Sequence, residues 1–522
     1  MKIALIQMRG DGIKDYISTE QRIEGQILQA CKKDVDFIVL PECAYPAYLL
    51  GIDKAAMQEA LSRTERVIAR IAALSRQNHV YITIGIALEK EGKLYNAALT
   101  FNRQGDIINQ SFKSNLWHFD ESWFTAGKES SVFDTEFGKI GVMICADGRI
   151  PEIAAMLRSK GAQLIIDPVN LAAAAAKPEL LSNQQYEFIL QARARENGVY
   201  IAACDKCGVE CNMATYLGRS FVVDPEGNII AECSPDKEEI AICDVDLSKS
   251  RTVALRRPQL YIEMTKPTEE LPVSEVQNSR YSINETSLFT MLVRYPHTTI
   301  KDYLNNAIKY IEGGEAVFAD LIILPELHPS LLLSDSMIED IRKIIQGGQI
   351  VAIAGFTKGL CGLRRRAVFI NKRGIIGEIG ATHCSDAENA DEIKVISLTP
   401  ACKIAAIFDW EADIPEITRT AMLKGADILL CYDDGSDEWR VKMLKTRAAE
   451  NKMFVIQSVS STKPDCCVIY NPDGGQICTT LRQTEHAAAG YINTALSKFK
   501  NIVPGTNIVT GRIPSFYKEL IR

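Results

Sequence analysis

The sequence predicts an α/β fold in which a layered sandwich, with mixed sheets and outer helices, occurs twice along the chain. Short apolar runs with the period of strands alternate with longer runs that have the period of helices. Strand-like runs include 37–40 and 139–144, and helical runs include 55–77 and 182–197. Hairpin signals such as Asn102 to Gly105 indicate that the sheets are mixed rather than purely parallel.

An internal repeat indicates the duplication. The clearest pair of segments runs from Asp36 to Glu42 and from Asp320 to Glu326, and both end in Leu-Pro-Glu. Four further pairs follow in the same order: 139–145 with 403–409, 150–152 with 414–416, Arg193, Glu196 and Asn197 with Arg447, Glu450 and Asn451, and 258–261 with 514–517. Matches that recur in one order along a chain are typical of a duplicated structural unit.

The domain boundaries follow from this repeat. A chain of 522 residues is too long for one ordinary hydrophobic core. We predict a first domain at 1–262, a linker at 263–284 and a second domain at 285–522. The linker prediction rests on the stretch from Thr265 to Pro272, which lacks periodicity and contains two prolines.

Composition and charge exclude several functional classes. With 47% hydrophobic and 24% charged residues, the chain has the composition of a soluble globular protein. A net charge of −7 with dispersed basic residues argues against a nucleic-acid partner. No apolar run reaches the roughly 18 residues of a membrane span, and Met1 to Gln7 reads as a buried strand, so we expect no membrane attachment and a cytoplasmic protein.

The fifteen cysteines are odd in number and irregularly spaced, which favours reduced thiols over a disulfide framework. Cys204, Cys207 and Cys211 could in principle hold a metal ion. Because no second ligand cluster accompanies them, we expect a structural role and no metal site.

Three residues at the ends of strand-like runs are candidates for chemistry. Cys145 follows an apolar strand and precedes a helical pattern, a position where a nucleophile lies beside free backbone N–H groups. Glu42 and Lys113 also end strand-like runs. Taken singly, the cysteine fits core packing and the two charged residues fit surface or capping positions.

Taken together, the motifs around these residues resemble the nitrilase superfamily of carbon–nitrogen hydrolases. The resemblance rests on Leu40-Pro41-Glu42, on the segment from Lys113 to Trp117 that leads to Glu121, and on Cys145-Ala146-Asp147-Gly148-Arg149-Ile150-Pro151-Glu152. It implies that each half folds as an αββα sandwich of the nitrilase type.

The resemblance also implies a mechanism. Glu42 would act as general base, Cys145 as nucleophile, and Lys113 with the backbone N–H of Ala146 would hold the oxyanion. Glu121 would be a second carboxylate that orients the substrate and the lysine. The expected reaction is hydrolysis of a small amide or N-carbamoyl compound through a thioester on Cys145, with no cofactor.

The substrate remains open at this level. Candidates for substrate contacts are Tyr48, Trp117, Trp123, Arg149 and Asn170. For Arg149 the resemblance also implies an alternative, a structural ion pair, which is common at this position of the family. Nitrile hydrolysis and amide-forming acyl transfer would use the same three residues, and a non-catalytic binding or regulatory protein is the alternative from another class.

The second half has lost the expected catalytic groups. Glu326 matches Glu42, but Asp409 takes the cysteine position, and counting from Gly105 and Gly374 places Thr382 opposite Lys113. We expect the second domain to be non-catalytic and to pair with the first as an intramolecular pseudo-dimer. A further homo-oligomer would be compatible with this arrangement.

Overall fold

The computed structural model describes residues 1–128, 131–253, 255–278, 285–385, 387–435, 437–459, 466–482 and 485–521. Within these ranges the predicted α/β fold is confirmed: each half contains two large sheets with helices on their outer faces. None of the described helices combines the length and the apolar character needed to cross a bilayer.

The first half contains two face-to-face sheets. In spatial order, the strands of one sheet are Lys206–Cys207, Lys2–Arg9, Phe37–Val39, Tyr81–Lys90, Lys93–Phe101 and Ile107–Phe112, with Glu239–Asp244 antiparallel to Lys2–Arg9. Those of the other are Ile229–Glu232, Phe221–Val223, Tyr200–Cys204, Leu164–Pro168, Gly138–Val142 and Val132–Thr135. The α-helices are Tyr16–Cys31, Lys54–Ser62, Thr64–Asn78, Pro151–Ser159 and Leu190–Asn197.

The second half repeats this plan. One sheet contains, in spatial order, Gly374–Gly380, Leu363–Asn371, Ile350–Lys358, Leu321–Ile323, Ser287–Arg294 and His486–Asn493. The other contains Ile396–Thr399, Cys402–Phe408, Ile428–Asp433, Phe454–Val459, Val468–Tyr470 and Gln476–Thr479. The α-helices are Ile300–Ala316, Asp335–Ile344, Pro415–Leu423, Arg440–Asn451 and Thr494–Lys498.

Strand alternation explains the layers. In Lys2–Arg9, Ile3 and Leu5 face the second sheet, whereas Ala4 and Ile6 pack against the outer helices. Successive side chains of a strand point to opposite faces, so a strand covered on both faces must be apolar throughout. The near-continuous apolar runs in the sequence therefore mark the centre of each sandwich.

The segment that the sequence predicts as a linker is partly structured. It contains the helical segments Ile262–Thr265, Thr268–Glu270 and Pro272–Asn278, and residues 279–284 lie outside the described residues. Met264 and Leu271 are buried against the second half. Apolar residues spaced over short helical turns thus attach this segment to the second half.

The two halves meet through residues that the repeat pairs with one another. Arg193 donates to Glu196 at 2.6 Å and also contacts Glu450, while Arg447 donates to Glu450 at 2.6 Å and also contacts Glu196. All four side chains are fully buried. Two-fold pairing of equivalent residues is the signature of an isologous interface, here formed within one chain.

Candidate active site

The structure brings Glu42, Lys113 and Cys145 together at one edge of the first sandwich. Glu42 follows the strand Phe37–Val39, Lys113 follows Ile107–Phe112, and Cys145 begins the helical turn Cys145–Arg149 after the second sheet's strand Gly138–Val142. Lys113 Nζ lies 2.8 Å from Glu42 Oε1. Asn170 joins the two sheets, since its Nδ2 donates to Glu42 O at 3.1 Å and its carbonyl lies 3.9 Å from Cys145 Sγ.

The Lys113 ammonium lies between two buried carboxylates. Besides Glu42, it contacts Asp120 Oδ2 at 2.7 Å, and the ring of Tyr48 lies 5.7 Å from Nζ. Burial alone would lower the pKa of Lys113, but the charges of Asp120 and Glu42 outweigh it and raise that pKa well above its usual value. The ammonium therefore stays charged and fixed in place.

The two carboxylate oxygens of Glu42 differ in their surroundings. Oε1 accepts hydrogen bonds from Lys113 and from Asn96 Nδ2 at 2.7 Å, whereas Oε2 has no hydrogen-bond partner among the described residues. Burial raises the pKa of Glu42 despite the nearby ammonium. One oxygen is thus anchored and the other is available to accept a proton.

Cys145 has a backbone conformation that is rare for its residue type. Its φ is +52°, in the left-handed region, and its backbone N–H donates to Asp167 Oδ1 at 2.7 Å. Such a conformation costs roughly 1–3 kcal/mol and persists only where surrounding contacts enforce it. The residue is 6% exposed, so it lies at the wall of the core rather than at the surface.

Electrostatics determines the protonation state of the thiol. Burial, and then the charge of Glu42, raise the pKa of Cys145 well above its usual value. A thiolate here would join Glu42 and Asp120 as a third negative charge around one ammonium. Because a buried unpaired charge is costly, these surroundings favour the neutral thiol over the thiolate.

The backbone N–H of Ala146 is the expected second oxyanion donor. Ala146 is the second residue of the turn Cys145–Arg149, and the first hydrogen bond of this turn runs from Asp147 N to Ile144 O. No acceptor for the Ala146 N–H occurs among the described residues. Free N–H groups at the start of a helical turn are suited to bind a negative oxygen.

Asp147 fastens the lysine segment to the cysteine turn. It accepts hydrogen bonds from the backbone N–H groups of Ser114 at 3.1 Å, Asn115 at 2.8 Å and Ile144 at 3.2 Å, and from the Ser114 hydroxyl at 2.8 Å. From the helix side, Arg193 donates to the carbonyls of Gly148 at 3.1 Å and Arg149 at 3.0 Å. These contacts hold the positions of Lys113 and Cys145 relative to each other.

The expectation that Glu121 orients the lysine is wrong, because its neighbour Asp120 makes that contact. The helical turn His118–Ser122 directs Asp120 into the protein and leaves Glu121 exposed. Trp117 N donates to Asp120 Oδ2 at 2.9 Å and helps to fix it. A turn of this kind points adjacent side chains in different directions, and the sequence alone did not reveal which of the two faces inward.

The predicted substrate contacts fall into two groups. The first group lies beside the catalytic candidates and comprises Tyr48, Asn170, Trp117 and Arg149. Tyr48 contacts Lys113, and Asn170 contacts Glu42. The guanidinium of Arg149 lies 5.1 Å from the Trp117 ring. Trp123 instead packs against Phe119 and Phe124 beside the core of the first sheet. The structure thus gives Trp123 a packing contact.

Arg149 lacks the structural ion pair that was the alternative for it. Its Nε donates to Gln185 at 3.1 Å and its Nη1 to Gln184 at 3.0 Å, and no carboxylate of the described residues lies within 4.0 Å. Burial lowers its pKa to about 10. A buried guanidinium without a carboxylate partner is rare unless a ligand supplies one.

The equivalent site in the second half contains a closed ion-pair network. Arg365 donates to both oxygens of Glu326, at 2.7 and 2.6 Å, and also contacts Asp409. By strand pairing, Arg365 corresponds to Asn96, since it lies opposite Phe356 as Asn96 lies opposite Ala87. Asp409 retains the positive φ, at +44°, that Cys145 has in the first half.

The residue opposite Lys113 is Ala381, which corrects the expected Thr382. Lys113 N donates to Asn96 O, and Ala381 N donates to Arg365 O in the same way. The hairpin at Gly374 is one residue shorter than that at Gly105, because Ile370 pairs with Ile375 whereas Phe101 pairs with Ile107. Counting forward from the two turn glycines therefore gives, in the second half, a position one residue beyond the true equivalent of Lys113.

Three contributors to the site escaped sequence reasoning: Asn96, Asp120 and Asp167. Asn96 lies in an otherwise apolar stretch of the strand Lys93–Phe101, and a polar side chain there is the one signal that pointed to it. The contact of Asp167 with Cys145 N depends on the parallel pairing of Gly138–Val142 with Leu164–Pro168. Strand order, and hence this contact, is not visible in the sequence.

With this geometry established, the class of protein follows from comparison with known sequences. The family model described as carbon-nitrogen hydrolase matches residues 2–255 and 292–493, and so the chain belongs to the carbon–nitrogen hydrolase family, with both halves matched.

Each of the following relatives and solved structures matches about half of this chain. It is 30% identical to a nitrilase of Pyrococcus abyssi over 47% of this chain and 90% of that protein, and 29% identical to an omega-amidase of Saccharomyces cerevisiae over 47% and 87%. It is 26% identical to a citrullinase of Francisella tularensis over 51% and 98%. An amidase from Nesterenkonia sp. AN1 is 22% identical, with a TM-score of 0.42 over 48% of this chain and 96% of that one.

Proposed function

We propose that the protein hydrolyses the C–N bond of a small amide or N-carbamoyl compound, with Cys145 as nucleophile, Glu42 as general base and Lys113 as oxyanion donor. The observation that carries the proposal is the buried Lys113 ammonium, held 2.8 Å from Glu42 and 2.7 Å from Asp120 beside a cysteine in a left-handed conformation. Similarity to an omega-amidase and a citrullinase supports the same reading.

In the first half-reaction, the Cys145 sulfur attacks the carbonyl carbon while its proton moves to the free Oε2 of Glu42. The Lys113 ammonium and the Ala146 N–H stabilise the oxyanion that forms. When the tetrahedral intermediate collapses, the C–N bond breaks and the leaving nitrogen takes the proton from Glu42. Ammonia or an amine departs, and the acyl group remains as a thioester on Cys145.

In the second half-reaction, Glu42 removes a proton from water and the hydroxyl oxygen attacks the thioester carbonyl. The same donors stabilise the second oxyanion. Collapse breaks the C–S bond, the proton returns to the sulfur, and a carboxylic acid is released. Asn96 keeps Glu42 oriented through both steps, because its hydrogen bond occupies Oε1 and leaves Oε2 free.

Arg149 supports a substrate that carries a carboxylate in addition to its amide. Its guanidinium is buried beside Trp117, four residues after the nucleophile, and is held by two neutral glutamine side chains. A carboxylate bound there would supply the missing negative charge through the bidentate geometry that guanidinium groups favour.

The proposed chemistry requires a reduced thiol and no cofactor. Nucleophile, base and oxyanion donors are all side chains or backbone groups of this chain. All fifteen cysteines are free thiols, a state that the cytoplasm maintains, and we place the enzyme there.

The second half is proposed to be a non-catalytic intramolecular partner. Glu326 has both oxygens bound to Arg365, and neither a thiol nor an ammonium occupies the equivalent positions. Expression of residues 1–262 alone tests this role. A fragment that is monomeric, well folded and fully active would exclude it.

The decisive experiment measures ammonia release from three substrate sets: neutral amides, amides with a distal carboxylate, and N-carbamoyl amino acids. We expect turnover by the intact protein and a loss of at least about a thousandfold in Cys145→Ala. Cys361→Ala is the matched control, because Cys361 is an exposed free thiol far along the chain in the second half. Equal activity of both variants would refute the proposal, and product formation only with an added amine acceptor would indicate acyl transfer.

A further inference from the structure

A cavity of about 270 Å³ lies between the two halves and adjoins the candidate active site. On the side of the first half it is lined by Ser114 and Ala146, which directly follow Lys113 and Cys145, and by Arg149. On the side of the second half its wall includes Thr506 and Arg512. The degenerate half therefore forms part of the surroundings of the catalytic site.

Direct hydrogen bonds hold the second half in this position. The hairpin formed by Asn501–Val503 and Thr506–Asn507 turns at Gly505, whose φ is +84°. The Thr506 hydroxyl accepts from His118 N at 2.7 Å and donates to Leu116 O at 3.3 Å, and His118 Nδ1 lies 2.9 Å from Pro504 O. These contacts fall within the segment that connects Lys113 to Asp120, so the hairpin is attached to the catalytic edge.

The cavity combines two buried arginines that lack carboxylate partners. Arg512 donates to Met264 O at 2.6 Å and to Thr268 Oγ1 at 3.2 Å, its Nε has no partner among the described residues, and no described carboxylate lies within 4.0 Å. Arg149 is bound only by glutamine amides. Other buried arginines, such as Arg193 and Arg447, contact carboxylates directly.

Two guanidinium groups, those of Arg149 and Arg512, line this small cavity together with one carboxylate, the exposed Glu121, so positive charge exceeds negative charge along its wall. Burial lowers the pKa of both groups, which reflects the cost of keeping them charged away from water. An anion bound between them would recover that cost through charge-assisted hydrogen bonds. The volume suits one end of a small molecule, because whole-ligand pockets are typically about 300 Å³ or larger.

We propose that this cavity binds the distal carboxylate of the substrate, with Arg149 supplied by the first half and Arg512 by the second. The inference rests on the proposed function and deepens it: the half without catalytic groups selects the substrate. Arg512 is a specificity residue and takes no part in the bond-breaking steps.

The test compares kcat and KM for two primary amides of equal length, one ending in a carboxylate and one in a methyl group. We expect Arg512→Gln to raise KM for the anionic amide at least tenfold with little change in kcat. The neutral amide should be affected less than twofold. Arg373→Gln is the matched control, because Arg373 is an exposed arginine of the same half, and it should affect neither substrate.

A second variant covers the possibility that Arg512→Gln impairs folding, since Arg512 also binds the backbone at Met264. Thr510 lines the cavity from an exposed position, so Thr510→Glu adds a negative charge there without disturbing buried contacts. It should weaken only the anionic substrate, and Thr510→Gln should not. Equal effects on both amides, or no effect on either, would overturn the inference. Failure of the proposed function would appear separately, as neutral-amide turnover that survives Cys145→Ala.

Discussion

The two halves place different charges around the same buried glutamate. In the first, Glu42 contacts a lysine and an asparagine, and a cysteine completes the site. In the second, an arginine replaces the asparagine, an alanine replaces the lysine and Asp409 replaces the cysteine. The second half thus retained a cation for its glutamate but moved it to another strand. A glutamate paired with a cation is therefore common to both halves, whereas the cysteine and the lysine that we propose to be catalytic occur at these positions in the first half alone.

The contrast also lies in which oxygens remain free. Arg365 donates to both oxygens of Glu326 and also contacts Asp409, so neither oxygen of Glu326 is left without a partner. Lys113 has a single nitrogen and leaves Glu42 Oε2 without a partner. In the proposed active site, the lysine thus provides a positive charge without occupying both oxygens of the glutamate.

The largest difference between the two halves is expected when the cation beside each glutamate is removed. In Lys113→Met, two fully buried carboxylates lose their cation, and we expect activity to fall at least about a thousandfold and the free energy of unfolding to drop by about 3–5 kcal/mol. Arg365→Met also leaves two carboxylates without their cation, but Glu326 and Asp409 are partly solvated. We therefore expect the free energy of unfolding to fall by only about 1–3 kcal/mol, with activity unchanged. Urea denaturation and ammonia release measure both effects. Equal loss of activity in the two variants would contradict the assignment of the first half as the catalytic one.

The interface arginines provide a second matched pair. Arg193 supports the carbonyls of Gly148 and Arg149 beside Cys145, whereas Arg447 supports Ala412 O beside Asp409 at 2.8 Å. Arg193→Met and Arg447→Met each leave Glu196 and Glu450 with a single arginine. The free energy of unfolding should therefore fall by about 3 kcal/mol in either variant. Only Arg193→Met should lower kcat, by roughly tenfold, because it displaces the nucleophile turn.

These measurements are made at a temperature where both variants remain folded, as judged by circular dichroism. A loss of kcat that is equal in Arg193→Met and Arg447→Met would show that the interface acts on catalysis only through global stability. An unaltered kcat in both would show that the turn at Cys145 needs no support from the helix.

The comparison also shows what the sequence could reveal. Glu42, Lys113 and Cys145 were predictable because each ends an apolar strand and belongs to a recognisable motif, and the duplication was predictable because Arg193 and Glu196 recur as Arg447 and Glu450. Asp120 was missed because a single helical turn decides whether it or Glu121 faces the lysine. Arg512 was missed because the first-half residues of the cavity, such as Arg149, lie more than 350 residues away in the chain, a distance that only tertiary structure closes.

The pH dependence of the first site tests the role of Asn96. Burial raises the pKa of Glu42, so the acid limb of kcat/KM should lie above the usual pKa of a glutamate. The Asn96 hydrogen bond favours the charged form and lowers that pKa. In Asn96→Ala the limb should therefore move to higher pH, with a loss of about tenfold in kcat/KM at neutral pH. Asn102→Ala, in the hairpin that follows the same strand, is the control. A limb that moves to lower pH would contradict Glu42 as the base.

The smallest effect is expected from restoring the catalytic groups in the second half. Asp409→Cys, Ala381→Lys and Arg365→Asn, combined in the Cys145→Ala background, place all three residue types at equivalent positions. We expect no ammonia release above background, because the lysine would still lack a second carboxylate. In the first half Asp120 comes from the turn His118–Ser122, and the described residues between 382 and 395 form no helical turn. The path from glutamate to lysine position is also shorter, at 55 residues (381 minus 326) instead of 71 (113 minus 42). Thiol-sensitive activity in this variant would show that three residues on the sandwich suffice, and that the surrounding segments matter only for substrate choice.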